Sequence, residues 1–370
     1  MTLPRIAAAG TGVSAAAGDD SVLLRDELIS AAARLEAAGV GSPRGDAEQL
    51  AAHVLDVSRG RLALVDLIDA AAAAELRALV ERRAGRVPLQ HLTGVAGFRR
   101  LDIAVGPGVF IPRPETEWVV EGALAALRSL GVARPVCVDL CAGSGVIALA
   151  LADEFPAAQV HAVEIEPSAL DWLRRNVERT GLPVHVHQAD VGISAYTDTG
   201  TGTGIGTGRP PAPPVRAALA DLAGRVDLVV SNPPYLPDRD RALVEPEVGR
   251  HDPPAALWGG PDGLDGPRAV VAAAAVLLRP GGVLVMEHAD EHGQAVPALL
   301  AESGPSESGP SESGPSAHGP AASGPSGGAG WAGLWSHIVD HPDLAGRDRF
   351  VTARWNPPER GRRRGAGEDA

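Results

Sequence analysis

The chain has 370 residues, 45% of them hydrophobic, and a mean hydropathy of +0.02, enough apolar material for a sizeable core and enough length for two domains or one large domain with an appendage. A formal charge of -13 argues against a broad electrostatic grip on nucleic acid, which relies on Lys and Arg to neutralise phosphates. Cys137 and Cys141 alone support neither a disulfide framework nor a Cys-based zinc site; the start makes a poor signal peptide and no apolar run reaches the ~18 residues of a membrane span, so no membrane association and a cytoplasmic location are expected.

Residues 1–20 read as a flexible leader. From 21 to 87 the pattern predicts a small helical domain: Leu24, Leu28, Ala32 and Leu35 recur at helical spacing, Ser42-Pro43 has the form of an N-cap and first helical residue, and "AAAAELRALVERR" stops at Gly85. This domain has no aromatic residue and no cluster of catalytic types, and reads as a packing or partner-docking module. Residues 88–118 alternate enough to predict a hairpin linking it to a second domain.

From 119 to 357 strands and helices alternate. "PVCVDL", "QVHAVEI", "VHVHQAD", "VDLVVS" and "GGVLVMEHA" read as strands, with helices "GVIALALADEF", "SALDWLRRNVERTG" and "PRAVVAAAAVLL" between them and two more strands, "WSHIVD" and "RFVTARW", near the end. The predicted class is α/β, with a doubly wound, mostly parallel seven-stranded sheet that binds its ligand at the carboxyl ends of the strands. Segments 197–214 and 302–328 lack the apolar content to offset ordering entropy and read as disordered inserts in surface loops; 358–370 reads as a flexible tail.

"VDLCAGSG" places Asp139 at a strand end, then a loop of small residues (Cys141, Ala142, Gly143, Ser144, Gly145), then a helix; such a loop lets the backbone approach a ligand. Glu164 ends the second strand, where nucleotide folds keep an acid for ribose hydroxyls, and Asp190 closes the third. The loop has neither a P-loop ending nor the full dinucleotide spacing, so a nucleoside without phosphates fits better, and S-adenosylmethionine is such a molecule.

After the fourth strand comes "SNPPYLPD". Neither Pro233 nor Pro234 has an N–H to donate, and the residue before each proline is pushed away from helical angles, so this backbone is held extended with its carbonyls free to accept. Asn-Pro-Pro-Tyr in this place resembles the motif by which methyltransferases hold a planar nitrogen. Together with "PLQHLTG", "FIPRPETEW", "HDPPAALWGGPDGLDGPR" and "GRDRFVTAR", it makes the chain similar to the bacterial peptide chain release factor N5-glutamine methyltransferases from about Ser21 to Trp355.

The resemblance implies a class I, Rossmann-like methyltransferase domain behind an N-terminal helical bundle. It implies transfer of a methyl from S-adenosylmethionine to the glutamine of the Gly-Gly-Gln loop of release factors, with no metal. Residues 141–145 and Glu164 would hold the methionine and ribose, and Asp190 and Val191 would border the adenine. Asn232, Pro233, Pro234 and Tyr235 would receive the glutamine: the Asn232 side-chain oxygen and the Pro233 carbonyl would accept its two N–H hydrogens, and Tyr235 would stack on the amide. Cys141 stands where the family usually has glycine, Val191 where some members have an aromatic, and Glu164 where aspartate is commoner. The rival enzyme reading is a nucleic-acid amino-methyltransferase acting on adenine or guanine, and the non-enzymatic one is a cofactor-binding scaffold.

Overall fold

In the computed structural model, residues 21–192, 212–302 and 333–357 are described. The predicted leader and tail lie outside them, as do the two inserts except for residues 212–214 and 302. The chain divides into two compact units, residues 1–93 and 94–370.

In the first unit a short antiparallel pair, β1 (Val22–Leu23) and β2 (Leu67–Ile68), accompanies the helices α1 (Leu24–Ala37), α2 (Pro43–Val54), α3 (Ala70–Ala84) and α4 (Leu89–Thr93). The helical spacing read from the sequence puts Leu24, Leu28 and Leu35 on the buried face of α1, where they meet Leu50 of α2 and Leu76 of α3. Ser42 precedes α2 as expected, yet its side chain makes no capping bond; Asp69 caps α3, accepting the Ala72 N–H at 2.8 Å. A buried ion pair, Arg83 Nε to Asp46 Oδ2 at 2.7 Å, lies among these apolar groups.

The segment 88–118, predicted as one hairpin linker, divides. Leu89–Thr93 is helical and belongs to the first unit, whereas β3 (Val95–Phe98) and β4 (Leu101–Ala104) form the antiparallel hairpin and belong to the second. A non-hairpin loop, 105–115, then leads into α5 (Thr116–Leu130).

The rest of the second unit alternates: β5 (Val136–Leu140), α6 (Val146–Glu154), β6 (Gln159–Glu164), α7 (Pro167–Thr180), β7 (Val184–Gln188), β8 (Val226–Ser231), the helix Asp265–Leu277, β9 (Leu278–Glu287), the helix Ala295–Glu302, β10 (Trp335–Pro342) and β11 (Asp348–Trp355). The seven-stranded sheet has the order β10-β11-β9-β8-β5-β6-β7, with β11 alone running against the others. Its middle strands are predominantly apolar because both faces are covered. Cys137, Leu228, Val230, Val283 and Val285 enter the core under α5 and α6, while Val138, Leu140, Val229, Leu284 and Met286 enter the core under Asp265–Leu277. The first half of the chain order winds outward from β5 through β6 to β7, and the second half from β8 through β9. The crevice where the winding reverses therefore opens between the carboxyl ends of β5 and β8, and these ends carry the loop 141–145 and Asn232.

Candidate active site

That crevice is a cavity of about 270 Å³. One wall is Cys141–Ser144, Glu164, Asp190 and Val191, and the other is Phe110, Pro112 and Thr116 with Pro253, Ala256 and Trp258; Asn232 and Pro234 lie between them. The structure thus brings together Cys141, Ala142, Gly143, Ser144, Glu164, Asp190, Val191, Asn232 and Pro234. Gly145, Pro233 and Tyr235 do not line the cavity.

The loop after β5 is built on left-handed backbone: Cys141 has φ 62°, Gly143 56° and Gly145 89°. Cys141 is an L-residue in a region that costs roughly 1–2 kcal/mol for anything but glycine. Gly145 serves packing instead of ligand contact, since a Cβ on it would stand 2.3 Å from Leu173 Cδ1 of α7. Asp139, whose strand-end place suggested a pocket role, is fully buried and does not line the cavity: Oδ2 accepts the Ala148 N–H at 3.0 Å and braces the start of α6. Burial raises its pKa well above the usual carboxylate range.

Glu164 is the better-equipped acid. Oε2 accepts the Gly143 N–H and Oε1 those of Ile165 and Glu166, each at 2.8 Å. Burial pushes its pKa up and these three bonds pull it back, so the carboxylate is fixed with further lone pairs available to a diol. Asp190 Oδ1 accepts the Gly192 N–H at 2.7 Å, and its backbone pairs with residues 213–214. Those three residues at the end of the expected insert, 212–214, are therefore part of the fold: the Pro213 carbonyl accepts the Asp190 N–H.

Sequence reading missed Asn176. It is fully buried on α7, its Oδ1 accepts the Ala104 N–H at 2.8 Å, and its Nδ2 donates to the carbonyls of Ala104 and Ser144 at 3.0 Å, clamping β4 to the cofactor loop.

On the other side, Asn232 follows β8 and its Nδ2 donates to Thr116 Oγ1 at 3.2 Å. Asn232 lines the cavity, and among the described residues no hydrogen bond reaches its Oδ1 or the Pro233 carbonyl. Tyr235 is anchored behind: its hydroxyl donates to Glu287 Oε1 at 2.9 Å. Glu287 is 1% exposed, and burial pushes it up to about 7, with the Tyr235 hydroxyl, which donates to it, and the Arg349 charge acting the other way. Thr116 and Glu287 were both missed, although Glu287 ends β9 by the same rule that singled out Glu164 and Asp190.

The corner itself is backed by glycines. A Cβ on Gly266 would stand 2.3 Å from the Pro234 carbonyl oxygen, one on Gly259 2.8 Å from the same atom, and one on Gly263 2.4 Å from the Tyr235 carbonyl oxygen. The segments "FIPRPETEW" and "HDPPAALWGGPDGLDGPR" also meet: Asp252 Oδ1 accepts the Ile111 N–H at 3.3 Å and Oδ2 pairs with Arg113, whose guanidinium stacks on Phe110 at 4.9 Å.

Among the described residues, no Lys, Arg or His lines the cavity, whereas Glu164, Glu166 and Asp190 do. This donor set suits a phosphate-free nucleoside carrying positive charge, and S-adenosylmethionine has a sulfonium and an ammonium group. The residues present fit it.

A PrmC N-terminal domain family model matches residues 27–94, and a methyltransferase domain model matches 137–207. The chain is 49% identical to a release factor glutamine methyltransferase of Mycolicibacterium smegmatis over 330 residues, 89% of this chain and 97% of the relative. It is 45% identical to that of Streptomyces coelicolor over 332 residues, 90% of this chain and 98% of the relative, and 40% identical to that of Mycobacterium tuberculosis over 337 residues, 90% and 92%.

Proposed function

The chain belongs to the release factor glutamine methyltransferase family, and from that premise we propose how its own residues carry out the transfer. It is an S-adenosylmethionine-dependent methyltransferase acting on a release factor glutamine. In our reading the glutamine is that of the Gly-Gly-Gln loop, the site of action is the cytoplasm where release factors work, and no stable nucleic-acid complex is formed. No helix among the described residues is long and apolar enough to cross a membrane.

S-adenosylmethionine supplies a methyl activated by its sulfonium. Glu164 would accept hydrogen bonds from the ribose hydroxyls, the loop residues 141–144 would hold the methionine, and Asp190 and Val191 would border the base, with Gly145 shaping the loop by packing on Leu173. Asn232 Oδ1 on the cavity wall and the Pro233 carbonyl, which lies outside that wall, would accept the two amide hydrogens of the glutamine, which orients the nitrogen and favours the positive charge that develops on it. The acceptors would hold the glutamine nitrogen while it exchanges one of its protons for the methyl that the bound cofactor would supply. Much of the acceleration would come from holding the glutamine nitrogen in place, a positioning effect worth up to roughly 7–11 kcal/mol. Tyr235, tied at its hydroxyl to Glu287, serves in this reading to hold the corner as well as to cover the amide.

The observation that carries the reading is the Asn232 amide at the cavity, its Nδ2 engaged by Thr116 and its oxygen free of hydrogen bonds among the described residues. Asn232→Ala is expected to lower turnover at least ~100-fold while leaving cofactor affinity within a few-fold. A radiolabelled methyl assay on purified release factor and calorimetry with S-adenosylmethionine check this. Near-normal turnover removes Asn232 from the mechanism.

A further inference from the structure

Between β4 and α5 the chain runs as a strap, residues 105–113, along one wall of the crevice. Its residues alternate: Gly108, Phe110 and Pro112 line the cavity, whereas Val109 and Ile111 are buried behind them. Alternation of this kind belongs to extended backbone, and extended backbone outside a sheet must find its hydrogen-bond partners among side chains. Two sets of side chains supply them, one at each end.

At the first end Ser168, Trp172 and Asn176, spaced four apart on one face of α7, meet residues 104–108. The Ser168 hydroxyl donates to the Gly108 carbonyl at 2.8 Å and Trp172 Nε1 to the Pro107 carbonyl at 3.2 Å, while Asn176 exchanges two bonds with the Ala104 backbone at 2.8 and 3.0 Å. The close approach depends on Gly106, since a Cβ there would stand 2.5 Å from Trp172 Cζ2. Ser168 follows Glu166 by two residues, and Glu164 and Glu166 both line the cavity, so this end lies beside the acid assigned to the ribose.

At the second end Asp252, whose side chain is 1% exposed, accepts the Ile111 N–H at 3.3 Å and pairs with the Arg113 guanidinium. Its neighbour Pro253 lines the cavity, and Thr116, three residues beyond Arg113, accepts the Asn232 Nδ2–H. This end leads to the glutamine side.

We infer that the strap is a positioning element with two separable ends: Ser168 and Trp172 set it against the cofactor, and Asp252 sets it against the glutamine. The inference rests on the proposed placement of cofactor and glutamine on these two sides. Ser168, Trp172 and Asp252 do not line the cavity, so each acts through the strap. Releasing the first end lets Gly108 and Phe110 draw back from the bound nucleoside, which weakens ground state and transition state alike and so raises KM without lowering kcat. Releasing the second end disturbs the entry to α5, and with it Thr116 and Asn232. A misplaced acceptor costs kcat and leaves cofactor affinity alone.

The test uses the full chain and measures kcat and KM on release factor and, by calorimetry on the cofactor-free protein, Kd for S-adenosylmethionine. Trp172→Phe keeps an aromatic ring and removes the donor; combined with Ser168→Ala it is expected to raise Kd and KM for S-adenosylmethionine about 5- to 50-fold, with kcat at saturating cofactor within about twofold of wild type. Asp252→Asn keeps an acceptor for Ile111 but turns an NH2 toward the Arg113 guanidinium, and is expected to lower kcat about 10- to 100-fold with that Kd within about twofold. A merely structural role would move both quantities in both variants. Wild-type values in either variant, or Kd and kcat lost together in either, overturn the inference. If one of them does not fold, Ser168→Ala alone or Arg113→Gln, changes at an exposed and a half-buried position, decides in its place by the same split. An active Asn232→Ala removes the reading beneath and this inference with it, whereas an inactive Asn232→Ala beside an Asp252→Asn of full kcat overturns this inference alone.

Discussion

Glu287 sits where the fold favours its neutral form, so its charge is a cost to stability. The folded carboxyl titrates at about 7 against an ordinary value of 4.5. Its contribution to stability is complete below the unfolded value, shrinks as pH rises from there, and is gone above the folded one; the difference corresponds to about 3 kcal/mol. Glu287→Gln is therefore expected to unfold at higher denaturant than wild type at pH 8, by an amount that disappears near pH 4.5. Urea titrations at the two values check this, and equal gains at both would dissociate Glu287 from the effect. A residue kept at such a cost is the usual signature of a functional position. It was legible in principle, since an acid ending β9 follows the pattern that exposed Glu164. Thr116 was not, because a threonine opening a helix has a local explanation and nothing in its neighbourhood names Asn232, 116 positions away.

At the level of elements, the strands and helices were readable because the central sheet is buried on both faces, which leaves continuous apolar runs broken by turns. What those turns face was not readable. The four glycines of "WGGPDGLDG" look like an ordinary loop until the Pro234 and Tyr235 carbonyls are seen pressed against three of them, Gly259, Gly263 and Gly266. Gly266→Ala would place a Cβ 2.3 Å from the Pro234 oxygen, and backbone must move to admit it. Displacement of the corner by as little as 1 Å is expected to lower turnover ~100-fold while Glu164 goes on holding cofactor; single-turnover rates beside calorimetry would reveal a coupled loss of both if the corner and the cofactor wall were one element. Asn176 makes the complementary case. Asn176→Ala strands buried backbone groups on β4 and the cofactor loop, and is expected to cost about 2–4 kcal/mol and to weaken cofactor binding, measured by denaturation and calorimetry.

Across the whole molecule, the two units have separate cores, and every residue lining the cavity belongs to the second. Leu50→Ala, at a fully buried position of the first, is expected to lower its stability by about 2–5 kcal/mol with no change in cofactor affinity. Differential scanning calorimetry with and without S-adenosylmethionine would register a shift that the cofactor does not rescue. Alternating strands and helices announced a parallel sheet, but not that β8 lies against β5, a neighbour made by winding in both directions from the centre. Among the described residues that junction is walled by carboxylates with no cation in its lining, and this carries a metabolic consequence. Triphosphates and pyridine dinucleotides share the adenosine portion of the methyl donor and abound in growing cells, yet their anionic chains find no counterion here. Millimolar ATP should therefore leave methylation untouched, and the enzyme's rate should follow the supply of its donor and not the energy state of the cell.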